Sequence, residues 1–326
     1  MSTMQQAPSQ WGYSGWHSNL GTTSDPAAAA ARASEAAAAS FKSQELLQMK
    51  LLQEPLVLAS LLQVLAVLPE TLQSKQVLWY TFDRRDAVKA GLLTSNSTTL
   101  LVSAALCCQS TRLVMLSCDT LSGLCELGSA PVGLEAQTGA LQVLAGAMLT
   151  SATASKAADA LAALAASCKG CLVLGIKWQL LQEIVVQLQQ TVFPALSAQH
   201  QGAAAQQSST GGLSQLAHDA AAAGAVVSFT RLVGSYYGLE AEAAFCRMLC
   251  AVASALLTPV LQGAEVPLGT LDVILQQLLL SIGGEDDGIA MTAVNFWQED
   301  FVTQMQVGCA LSGLFCTVSW LFVIIP

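Results

Sequence analysis

Any hydroxyl or thiol nucleophile in this chain would need a base beside it, and His17, His200 and His218 are the only imidazoles present. His17 and His200 lie in low-complexity segments, and His218-Asp219 precedes an alanine-rich stretch whose start suits a carboxylate. Cys168-Lys169-Gly170-Cys171 has the two-residue ligand spacing of a zinc or redox pair. A structural zinc site needs four ligands, and the sequence supplies neither a second such pair nor a paired-histidine motif. The four residues read instead as a helix-end turn carrying two buried thiols. Glu285-Asp286-Asp287-Gly288 lacks the alternating ligands and terminal glutamate of a calcium loop, and reads as a helix cap. No glycine cluster carries the lysine of a phosphate loop. Arg84-Arg85 could grip an acidic partner or a nucleotide phosphate, but with Asp83 and Asp86 screening them they read first as the head of a helix. The expectation is a binding protein, with no catalytic residue, cofactor or metal.

The composition says what must position such groups. The 326 residues are 53% hydrophobic and 11% charged, enough apolar side chain for a continuous core. Alanine and leucine dominate and proline is sparse, which favours helix. The β-branched and aromatic residues form no alternating runs. A formal charge of −9, with no basic residue after Arg247, argues against direct nucleic-acid binding, which needs clustered cations. An acidic surface attracts basic partners instead. The first residues lack the apolar core of a secretory signal. The ten cysteines, among them Cys107, Cys108, Cys246 and Cys250 in apolar helical stretches, therefore read as small hydrophobes in a reducing compartment.

Residues 1–44 form a low-complexity leader, expected to be largely disordered. Helical periodicity starts near Glu45. Pro55 suits a first helical turn, and Leu58, Leu61, Leu62, Leu65 and Leu68 follow as one stripe that Pro69 should end. Leu174, Trp178, Leu181, Val185 and Leu188 form another, closed by Pro194. Val226, Phe229, Val233 and Tyr237 share a face. Leu271, Ile274, Leu275, Leu278, Leu279 and Ile282 precede a tight acidic loop, after which Ala290, Ala293, Val294, Trp297 and Phe301 resume the spacing. Trp297 falls on the core stripe, while Phe296 faces an adjacent repeat. Segments 123–155 and 201–212 are weakly patterned, and the second reads as a long loop. Hairpins too small to bury their own faces must stack. The expected fold is all-α, a HEAT-like (ARM-type) α-solenoid of stacked antiparallel helix hairpins over residues 45–306.

Three stretches resemble one family. LLQVLAVLPETLQSKQVLWYTFDRRDAV (Leu61 to Val88), VVSFTRLVGSYY (Val226 to Tyr237) and TAVNFWQEDF (Thr292 to Phe301) occur in the order and separation seen in the importin-β (karyopherin) superfamily, transportin-SR and importin-thirteen branch. The residues carrying the match are Leu68, Pro69, Glu70, Ser74, Arg84 and Arg85, then Phe229, then Asn295, Phe296 and Trp297, all in structural roles. Thr71 and Gln298 depart from the pattern. The resemblance implies a fragment of the early-to-middle HEAT repeats of a nuclear transport receptor. It implies binding of a cargo protein and the small GTPase Ran, and residence in cytoplasm and nucleus. The main cargo- and Ran-binding regions of the family have no counterpart here, so no contact residue is carried over.

One segment supports a different reading. Val307 to Ile325 carries no charge and approaches the ~20 residues that span a bilayer. The stretch 307–326 is therefore either a membrane anchor, making the chain a tail-anchored helical scaffold, or the aberrant end of a truncated, non-functional product.

Overall fold

Every regular element among the described residues is a helix, in keeping with the alanine- and leucine-rich composition. The structure is a computed structural model, and it describes residues 54–73, 91–92, 96–108, 110–128, 130–131, 133–170, 175–208, 228–264, 268–284 and 286–305. Ser74, Arg84, Arg85, Cys171, His218, the leader 1–44 and the apolar tail 307–326 lie outside them.

The first helices are α1 (Pro55–Gln73), α2 (Asn96–Cys107) and α3 (Thr111–Glu126). A 3-10 turn, Leu134–Ala136, leads into α4 (Thr138–Ala147) and α5 (Ala154–Ser167). The weakly patterned middle is thus largely helical. Next, α6 (Ile176–Gln187), a π turn (Leu188–Val192) and α7 (Phe193–Ser208) run on without a break. The last four are α8 (Phe229–Tyr237), α9 (Leu239–Leu261), α10 (Leu268–Ile282) and α11 (Asp287–Asn295), which passes into a π turn, Phe296–Phe301.

Packing follows two series of neighbours. In one, α1 packs on α3, α3 on α5, α5 on α9, and α9 on α11. In the other, α2 packs on α4, α4 on α6 and its π turn, α7 on α8, and α8 on α10. Chain-adjacent pairs α2/α3, α4/α5, α8/α9 and α10/α11 join the two series. The α8/α9 pair turns on one residue, Gly238, whose φ of 96° is open to glycine and strained for other residues. Core side chains come from both series. Leu124, Leu144, Leu164, Leu181, Leu249 and Ile274 are each 0% exposed. Full burial of such a side chain contributes about 1.5–3 kcal/mol.

Several sequence expectations hold and several fail. Pro55 starts α1, and Leu58 and Leu62 are fully buried. Leu61, placed on the same stripe, is instead 43% exposed, because the buried face is centred on Leu58, Ala59 and Leu62. Pro69 does not end the helix, which continues to Gln73. A proline deletes one backbone bond, and packing of α1 on α3 holds the segment around it. Pro194 does not close its segment either. The Phe193 N–H bonds to the Leu188 carbonyl five residues back, and this wider turn eases the proline ring past the preceding carbonyls. Residues 201–208, expected as loop, belong to α7, where Ala203, Ala204 and Ala205 supply helix propensity.

The turn before α11 behaves as a cap. Asp286 Oδ1 accepts from the Ile289 N–H at 2.9 Å, satisfying a donor that the helix leaves free. Trp297 does not hold the core position read from the sequence. Phe296 is buried and Trp297 only half-buried, because the π turn rotates the residues after Asn295 out of 3.6-residue register.

Candidate functional site: a cleft between α7, α8 and α10

The best-defined concavity, about 440 Å³, is lined by His200 of α7, Ser228, Arg231, Leu232 and Ser235 at α8, and Leu279, Leu280 and Gly283 at the end of α10. Its construction begins with buried polar residues that lock α8 onto α10. Gln277 Oε1 accepts from the Phe229 N–H at 2.6 Å, and the Thr230 and Ser281 hydroxyls pair at 3.0 Å. All three side chains are at most 3% exposed, so these bonds form away from competing water. Phe229 stacks on Phe193 at 5.4 Å between ring centres, which ties α8 to α7. Two more links run the same way: Gln199 Nε2 donates to Tyr237 Oη at 2.9 Å, and Tyr236 Oη donates to the Gln199 carbonyl at 3.3 Å.

Charge enters through Arg231. Its Nη2 donates to the Gly283 carbonyl at 2.7 Å, which holds the guanidinium across the mouth of the α10–α11 turn. Ser228 caps α8 by accepting from the Arg231 N–H at 3.4 Å, and Ser235 Oγ donates to the Arg231 carbonyl at 2.7 Å. Glu242 of α9 lies against Gly234, close enough that a Cβ there would fall 2.0 Å from its Oε2. Partial burial and the Asp286 carboxylate raise the Glu242 pKa, and the Arg231 guanidinium opposes them.

Chemically the cleft combines apolar and basic groups. Leucines 232, 279 and 280 give it an apolar floor, with an imidazole and a guanidinium on its rim. Both serine hydroxyls are engaged by backbone groups of α8, and neither is hydrogen-bonded to His200. A nucleophile–base pair is therefore not assembled in this geometry. Among the described residues, no three His, Cys, Asp or Glu side chains converge as metal ligands.

The motif residues singled out from the sequence do not come together here. Leu68 is half-buried on α1, beside a second, shallower cavity of about 560 Å³ along Ser60, Gln63, Val64 and Val67. Pro69 and Glu70 lie in the last turns of α1. Phe229 alone borders the cleft. Asn295 is exposed, while Phe296, Trp297 and Phe301 cluster at the far end of α11, with Trp297 and Phe301 rings 4.6 Å apart. Trp297 Nε1 is buried without a hydrogen-bond partner among the described residues. The cysteines also divide. Cys118, Cys125, Cys168 and Cys246 are buried, whereas Cys107 and Cys108 are exposed at the end of α2, contrary to their reading as core residues. The polar residues that build the cleft were missed in the sequence. Their signal was there as Gln277 and Ser281, one helical turn apart inside the apolar stripe of α10.

Outside the cleft, three exposed ion pairs link separate elements, two of them between neighbours in the first series and the third from the end of α5 to the π turn after α11. Lys156 of α5 reaches Asp119 of α3 at 2.8 Å, Arg247 of α9 reaches Asp159 of α5 at 2.7 Å, and Lys169 pairs with Asp300. Compared with protein-family models, curated proteins and solved structures, the chain matches none.

Proposed function

We propose that this chain is a non-enzymatic binding scaffold, a HEAT-like α-solenoid of the importin-β type, that carries a cargo protein under control of the small GTPase Ran between cytoplasm and nucleus. The observation that supports it most is the pair of neighbour series. Each inner helix of the first series, α3, α5 and α9, has one partner before it and one after, as layers in a stack do. Hairpins arranged in that way present an extended face rather than a single pocket. The net charge of −9 favours a basic cargo segment through long-range attraction. The Leu-Pro-Glu, Phe-Thr and Asn-Phe-Trp stretches support the transport reading by resemblance.

In such a receptor Ran-GTP and cargo prefer different curvatures of one stack, so binding one lowers affinity for the other. The test is a pull-down of Ran-GTP and of basic, Ser/Arg-rich cargo with the full chain. Retention of either, with mutual competition, supports the proposal. Retention of neither, also after flanking family repeats are fused to both ends, rules it out.

The uncharged run Val307 to Ile325 favours a second reading, a tail-anchored scaffold. Carbonate-resistant membrane association that disappears on deleting 307–326 would select it. The apolar helix α9 does not argue for the membrane, since 67% of its candidate span is buried against other helices.

A further inference from the structure

Among the described cysteines only Cys107 and Cys108 are exposed, and they are adjacent in sequence. Cys107 ends α2, and Cys108 follows in the turn, where its N–H donates to the Ala105 carbonyl at 3.3 Å. The peptide between them is trans, which fixes their Cα atoms at about 3.8 Å apart. Both side chains are exposed, so rotation about each χ1 is open to the two sulfurs without moving the backbone. The other described thiols are poorly placed for such chemistry. Burial pushes Cys118 and Cys125 up to about 12. Cys168 and Cys246 are buried, and half-buried Cys250 points its thiol at the Thr292 carbonyl, 3.9 Å away.

We propose that Cys107 and Cys108 form a dithiol capture site for a thiophilic trivalent arsenical, bound through both sulfurs. Thiolate sulfur is a soft ligand and selects soft centres over hard cations. In the capture step an organoarsonous acid loses both hydroxyls. Two As–O bonds break, two As–S bonds form, and each thiol proton leaves with a hydroxyl as water. Arsenic stays trivalent and sulfur is not oxidised, so no co-reactant is required. The second sulfur closes a ring at high effective concentration, so the adduct resists a competing monothiol that would displace a singly bound arsenical.

The test uses the reduced full chain, folded, with phenylarsine oxide as the probe. The expected result is one phenylarsenic adduct that maps to the peptide holding residues 107 and 108. It should survive excess glutathione and come off with a dithiol. C107S and C108S should each reduce glutathione-resistant binding at least tenfold. Both side chains are solvent-exposed, so the variants should keep the parent's circular dichroism. Three results overturn the proposal: no adduct, a resistant adduct at other cysteines, or either single variant retaining it.

Discussion

Removing the end of one leucine in the buried face of α9 should loosen the helices packed on it and leave the rest of the chain alone. Leu249 lies on α9 with 0% exposure, and α9 also touches α8, α10 and α11. Truncation in Leu249→Ala loses burial at about 0.8 kcal/mol per methylene-sized group, or ~2.4 kcal/mol for the atoms removed. The cavity left behind raises the cost to about 3–5 kcal/mol. For a domain of this size each kcal/mol moves the midpoint by about 2–4 °C, so thermal unfolding followed by circular dichroism should fall by roughly 10 °C. Hydrogen exchange gives the sharper readout. In a stack, stability is close to a sum of nearest-neighbour terms. Amides of α5, α8, α9, α10 and α11 should therefore exchange faster, while α1 and α2 keep their protection. The control is Leu56→Ala, at a residue 78% exposed, which should change stability by less than about 0.5 kcal/mol. A Leu249→Ala cost below that figure, or uniform loss of protection reaching α1, would refute the reasoning.

Asp286→Ala removes the cap on α11 and should cost about 1 kcal/mol, with faster exchange confined to the first turn of that helix. Arg247→Met breaks the exposed pair with Asp159 and should cost only about 0.2–1 kcal/mol, and the difference from the parent should vanish in 1 M salt. Alkali should destabilise the fold through Cys118. The unfolded thiol ionises from about pH 8.5 upward, whereas the buried one holds its proton to about 12. The unfolded state thus binds fewer protons across that window, and stability falls as pH rises, by up to about 1.4 kcal/mol per pH unit for this group. Cys118→Ala should flatten that part of a denaturant-midpoint versus pH curve, and an unchanged slope would show that Cys118 is not the group responsible.

Helix type was legible in the sequence because burial here follows 3.6-residue spacing, as Leu58 and Leu62 or Ile274 and Leu278 demonstrate. Helix ends were harder to read. Pro69 and Pro194 look like stops by local rules, yet tertiary packing and a π turn carry the chain through both. The π turn after α11 also explains why Trp297 is only half-buried, since a register change leaves no mark on composition. Local capping was more transparent: the acidic run before α11 holds the Asp286 cap. The cleft was not legible, because His200, Arg231 and Leu279 belong to different helices and meet only through the packing of α7, α8 and α10. Cys107 and Cys108 sit in an apolar run, and only the position of the α2 terminus turns them outward.

The proposed serial layering is tested directly by distances between spin labels in the folded full chain. Cys107 and Cys108 are first replaced by serine, and labels are placed at exposed Ser60 of α1 together with either Ala166 of α5 or Met291 of α11. Packed helices lie about 8–10 Å apart, so α1 to α5 spans two such steps and α1 to α11 four, or roughly 35–40 Å. The account predicts that the α1–α11 distance is close to twice the α1–α5 distance. An α1–α11 distance equal to or shorter than the α1–α5 distance would mean that the helices close on themselves, and would contradict it.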